Sequence, residues 1–157
     1  MRLLLAVLLF ATALAPARAA GVEFVRVWPG WRNADSFRRV SEYFSGKENT
    51  GGQVIVRTRP DSRDGFYFLA RIKNSTTPLA GAKFVLSLIG PERPETRVYT
   101  FPVAVPACET VYQLGLTGAD WLGPKIHPVA WKLELVTADD KPVATEHSFL
   151  WEKPAKK

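Results

Sequence analysis

Apolar residues recur at every second position through most of this chain, and clusters of Gly, Pro, Asn and Ser break the runs. In Gly65-Phe66-Tyr67-Phe68-Leu69-Ala70-Arg71-Ile72-Lys73, the side chains of Phe66, Phe68, Ala70 and Ile72 fall on one side of a pleat, with Arg71 and Lys73 on the other. Successive strand residues point to opposite faces, so this period suits a half-buried strand and not a helix. Lys83–Leu88 repeats the pattern with Phe84, Leu86 and Leu88, and Trp131–Val136 places Trp131, Leu133 and Leu135 inward with Lys132 and Glu134 outward. Val22–Trp28, Gln53–Arg59, Arg97–Phe101 and Thr110–Leu116 are further strand candidates. Turn clusters at 74–78, 90–94 and 123–124 separate them. Many short strands joined by such turns predict an all-β, antiparallel sandwich of about seven to eight strands.

The last segment is read as a hairpin. Ala138-Asp139-Asp140-Lys141 turns the chain, since Asp tolerates the left-handed conformation such a turn demands. Val143–Trp151 is predicted to return as the closing strand, with Phe149 and Trp151 on one face and Leu150 on the other. One segment departs from period two. Asp35–Gly46 places Phe37, Val40 and Phe44 on one helical face, with Asp35 as N-cap and Gly46 as stop. Arg38 and Arg39 lie at the positive end of its dipole and Glu42 at the negative end, so the helix needs packing of its apolar stripe to persist. Two outcomes follow: a short helix across one end or edge of the sandwich, or a mobile connection.

Gly65–Asn74, Ala82–Gly90 and the hairpin Trp131–Trp151 together resemble the immunoglobulin or fibronectin type III class of sandwich found in secreted bacterial proteins. The resemblance is one of pattern and implies an immunoglobulin-like fold with a binding or structural role. A disulfide-centred core is excluded, because Cys108 is the sole cysteine. Nothing basic adjoins Cys108 in sequence to activate its thiol, so a buried or strand-edge position is expected.

Residues 1–19 read as a signal peptide. Arg2 supplies the charged start, Leu3–Leu14 the apolar run, Pro16 the break, and Ala17-Arg18-Ala19 the small residues that a signal peptidase accepts. Cleavage after Ala20 fits nearly as well, and an uncleaved anchor is the alternative, although the run is short for a span. Removing nineteen of 157 residues leaves 138, read as one sandwich domain over 20–151 with a flexible basic tail at 152–157. Export to the periplasm or beyond is therefore expected, with no stable membrane span once the leader is gone. Without Arg2 and Arg18 the net charge falls from +6 to +4, spread along the chain. That mild excess argues for no nucleic-acid partner; an envelope polymer or an acidic protein face would suit it, and so would plain solubility.

Motifs for chemistry are missing from the sequence. His127 and His147 stand apart, no His-x-His, HExxH or CxxC occurs, and there is no GxSxG or phosphate-loop pattern. Gly51-Gly52 precedes a strand and reads as a turn. Asp61 and Asp64 flank a cation, which suits no calcium loop. No cofactor, metal or catalytic set is expected, and the chain is read as non-enzymatic. What remains is aromatic. Trp131 and Trp151 occupy strand positions, whereas Trp28-Pro29-Gly30-Trp31-Arg32 and Asp120-Trp121-Leu122-Gly123 read as loops. Trp28, Trp31, Arg32, Asp120 and Trp121 are thus the candidate ligand contacts. Trp28 and Trp31 either plug an open end of the sandwich or form a sugar platform. The expected function is an exported binding or structural module of the envelope that contacts a protein partner; the alternative is a carbohydrate-binding module using the loop tryptophans on a polysaccharide.

Overall fold

A computed structural model describes residues 21–152. Residues 1–20, which include the segment read as a signal peptide, and residues 153–157 of the tail lie outside the described residues. Eight strands form two four-stranded sheets packed face to face. In the first sheet the spatial order is β1 (Val22–Arg32), β3 (Gly65–Asn74), β6 (Glu109–Thr117), β2 (Val54–Arg57). In the second it is β5 (Thr96–Val105), β4 (Leu79–Ile89), β7 (Ala130–Val136), β8 (Pro142–His147). Neighbouring strands are antiparallel except β2 and β6, which run parallel. That pair follows from the chain's path. Residues 33–53 carry it back over the outer face of the first sheet, so that β2 starts again in the direction of β1.

The alternation read from sequence builds the core. Phe66, Phe68, Ala70 and Ile72 of β3 and Tyr112, Leu114 and Leu116 of β6 meet Phe84, Leu86 and Leu88 of β4 and Leu133 and Leu135 of β7. Rings cross the gap between sheets: Phe84 lies 5.1 Å from Tyr112, and Phe68 lies 5.4 Å from Trp131. Tyr112 also donates its hydroxyl to the Ala104 carbonyl at 2.8 Å, tying β6 to β5. Burial raises its phenol pKa and keeps that donor protonated.

Strand register divides the connections by length. Residues 33–53, 58–64, 90–95 and 118–129 all sit at or return from one end of the sandwich, where Arg32 pairs Gly65, Gly65 pairs Thr117 and Ile89 pairs Ala130. Among the described residues, the connections at the opposite end are the turns at 75–78, 106–108 and 137–141. We call the first the loop end.

Several expectations need correction. The strand ending the chain stops at His147, and Phe149–Glu152 is a single 3-10 turn, not the end of a strand. Ser148 ends the ladder by donating its amide to the Trp131 carbonyl while its hydroxyl accepts from the Trp131 amide. Phe149 is exposed, not an inward-facing residue of a closing strand. The hairpin turn itself is as read, with Asp140 left-handed at φ 60°.

The segment 35–46 is not one helix. Ala34–Phe37 forms a 3-10 turn capped by Asn33, whose side chain accepts from the Ser36 amide, not by Asp35. Arg38 and Arg39 are extended, and the helix α1 (Val40–Ser45) starts only after them. This break puts Arg38 at the C-cap of the 3-10 turn, where a cation is favoured, while Arg39 stays at the N-cap of α1 beside its positive end. Gly46 stops α1 as expected, at φ 65°. Finally, Trp28-Pro29-Gly30-Trp31-Arg32 is the second half of β1, not a loop, and Cys108 is exposed just ahead of β6.

Candidate functional site

The outer face of the first sheet carries Arg26, Trp28 and Arg32 from β1, Tyr67, Leu69 and Arg71 from β3, Gln113 and Gly115 from β6, and Arg57 from β2, as the pairing register dictates. Its upper half, toward the loop end, lies under the strap of residues 33–53. Phe37 is the strap's anchor. Only 6% exposed, its ring lies 4.8 Å from Tyr67, with the Arg32 and Arg57 guanidiniums over it at 4.5 and 5.1 Å. Cations stack favourably on an aromatic face, which explains why two arginines and one phenylalanine can share this half-dry site.

Ion pairs fasten the rest. Arg57, its side chain 8% exposed, donates to both oxygens of Glu48 at 2.6 and 2.9 Å and to the Tyr67 hydroxyl at 2.8 Å. Tyr67 donates its own hydroxyl to the Arg63 carbonyl at 2.8 Å. Arg63 reaches Glu42 of α1 at 2.8 Å and lies 3.8 Å from Glu48. The hydrogen bond from Arg63 holds the Glu42 carboxyl below its usual range, and that from Arg57 does the same for Glu48. Arg32 donates to Gln113, which in turn bonds Gln53. Burial pushes the Tyr67 phenol up, so it remains a donor at neutral pH.

These bonds set the orientation of α1. Glu42 is held by Arg63 and by the Asn49 amide, and Ser41 by the Asn49 side chain at 2.8 Å. The polar residues of this helix are therefore tied to the protein. Val40, Tyr43 and Phe44, at i, i+3 and i+4, share the remaining face and are 73%, 75% and 88% exposed. Of the apolar stripe expected to pack against the sandwich, Phe37 does so, whereas Val40 and Phe44 point away from it. Helices on globular proteins ordinarily do the reverse.

The five residues singled out in sequence are not brought together. Trp28 and Trp31 lie three apart in one strand and so face opposite ways. Trp31 packs against the core between the sheets, while Trp28 lies on the outer face with Arg26 and Arg71 at 4.9 and 5.8 Å from its ring. Arg32 belongs to the strap contacts. Trp121 is buried, not loop-exposed: its ring lies 4.8 Å from Phe66, and its N–H donates to the Ile126 carbonyl at 3.2 Å. It plugs the loop end of the sandwich, a role assigned in sequence to Trp28 and Trp31. Asp120 accepts from Arg59 at 3.1 Å. Asp120 and Trp121 also line a surface cleft.

The sequence reading missed Tyr43 as an exposed residue and Glu42, Glu48, Arg57 and Arg63 as a network. The only sequence signal was the charge order of 35–46, unfavourable for one continuous helix; in α1 Glu42 stands in the first turn, where a carboxylate is favoured. Among the described residues, no three His, Cys, Asp or Glu side chains gather to hold a metal ion. No helix there is long and apolar enough to cross a membrane. Asn74 of the Asn-Ser-Thr triplet is buried and its amide donates to the Thr77 carbonyl, as a turn requires. No protein-family profile, curated protein or solved structure matches the chain.

Proposed function

We propose that the protein is an exported, non-enzymatic binding module of immunoglobulin-like type whose loop end contacts a protein partner in the envelope. The observation that carries this reading is the outward apolar face of α1. Exposing Val40, Tyr43 and Phe44 costs hydrophobic free energy, of order 1.5–3 kcal/mol for each side chain left unburied, and gains nothing for the fold. A partner that covers them recovers that energy. Their pinned backbone also lowers the ordering cost of binding. The chain's path supports the immunoglobulin-like assignment: β3 lies in the first sheet, β4 and β5 in the second, β6 in the first, and β7 and β8 in the second, with long loops gathered at one end.

The test is photo-crosslinking in the native cell from benzoylphenylalanine placed at Tyr43 or Phe44. A discrete adduct at both positions is expected, with none from Val98, an exposed residue on β5 remote from the strap. Equal labelling at all three positions, or none at 43 and 44, overturns the reading. The polysaccharide reading keeps only Trp28, whose ring is already attended by two guanidiniums; loss of a polysaccharide-induced fluorescence change in Trp28→Ala would restore it.

A further inference from the structure

We propose that the cleft between residues 90–97 and 119–126 binds a ligand in which a carboxylate adjoins an apolar group. The cleft encloses about 190 Å³. A dry cavity of about 150 Å³ already takes a benzene ring, so an amino-acid-sized group fits. Its buried wall is the Trp121 ring, fixed between Phe66 and the Ile126 carbonyl. With the indole N–H committed to Ile126, that ring offers the cleft only apolar surface. Pro91, Leu122 and Ile126 add more.

The charges at its exposed rim are unbalanced. Asp120 is already neutralised by Arg59 at 3.1 Å. Arg97 lies over Trp121 at 5.9 Å and makes no ion pair with the described residues, which leaves most of its five donors unused. Arg93 makes no hydrogen bond or ion pair with the described residues, and Glu92 is the one lining acid without a partner. Two guanidiniums and one unpaired carboxylate therefore line the cleft beside an apolar wall. A guanidinium fork matches a carboxylate in two parallel hydrogen bonds, and Arg97 stands beside the Trp121 ring, against which an apolar group joined to that carboxylate would pack. The carboxylate can come from a chain end with an apolar last residue or from a free small acid.

The experiment follows the Trp121 indole N–H resonance of the nitrogen-15-labelled protein, assigned with Trp121→Phe. N-acetyl-phenylalanine is titrated against its neutral amide. The acid is expected to shift the resonance saturably, and the amide to bind about tenfold more weakly or worse, as loss of a charge-assisted hydrogen bond implies. Arg97→Gln and Arg93→Gln should each weaken the acid by about tenfold while preserving the spectrum elsewhere, and Arg97→Lys should restore part of the loss. A tetrapeptide ending in phenylalanine identifies the source: tighter binding than the single residue assigns the cleft to a chain end, and equal binding to a free acid. Equal shifts from acid and amide, or no shift from any probe at millimolar concentration, overturn the proposal. Neither result bears on α1, which lies outside the cleft.

Discussion

Gly115 shows how closely the strap region is fitted. A Cβ at that position would lie 2.4 Å from a Tyr67 ring carbon, so the tyrosine rests directly on the glycine across the β3–β6 pair. Gly115→Ala must push Tyr67 outward and break its bonds to Arg57 and Arg63; we expect a loss of about 1–3 kcal/mol in urea unfolding. Glu48→Gln leaves the Arg57 guanidinium without its charge partner at a site with little access to water. Fully buried pairs lose 3–5 kcal/mol on such a change. Because the Glu48 carboxylate is about one quarter exposed, about 1–3 kcal/mol is expected here, read in the same unfolding assay. The acidity of these pairs sets a pH dependence. Glu42 and Glu48 are both depressed in the folded protein, so the unfolded chain binds more protons through the carboxylate range. Their contribution is complete above the unfolded value, near 4.5 for these carboxyls, and is lost as pH falls through the folded values. The protection factors of residues 40–49 against hydrogen exchange, corrected for the pH dependence of the intrinsic rate, should accordingly fall between roughly pH 5 and pH 3 in the wild type and change less in Glu48→Gln.

At the scale of the element, α1 separates anchoring from display. Phe37→Ala empties a site walled by Tyr67, Arg32 and Arg57, and about 3 kcal/mol of stability should go with it. Phe44→Ser and Tyr43→Ser remove side chains that touch mostly water, so thermal unfolding should move by no more than about 0.5 kcal/mol. The contrast is the check: equal losses at 37 and 44 would mean that both rings are packed. Sequence periodicity could not make this distinction. Phe37, Val40 and Phe44 have helical spacing, and the stripe argument assumes that one continuous helix carries all three. Two extended residues, Arg38 and Arg39, rotate the second half relative to the first and reverse what it presents. The same limit explains the chain end. Phe149 and Trp151 alternate as a strand would, but the ladder that could hold them stops with Ser148 at Trp131.

Across the whole molecule, what could be read in sequence is what depends on local alternation. The inward positions of β3, β4 and β7 were legible because each strand buries one face, and their rings and Leu side chains are the core. Illegible were features that need two distant segments together: the parallel β2–β6 pair, the strap over Tyr67, and the burial of Trp121 on Phe66. Trp28 and Trp31 were misplaced for a related reason, since Pro29 and Gly30 signal a turn yet are tolerated here on an edge strand. The loop end unites these unforeseen parts, with the strap on one side and the cleft of Trp121 beside it. Hydroxyl-radical footprinting of the native protein tests the arrangement most directly, because it reads ring exposure residue by residue. Tyr43 and Phe44 are expected to oxidise at rates close to those of the unfolded chain, while Phe37 and Tyr67 stay protected. Protection of Tyr43 and Phe44 together with oxidation of Phe37 would show α1 turned apolar face inward, and would contradict the account at its centre.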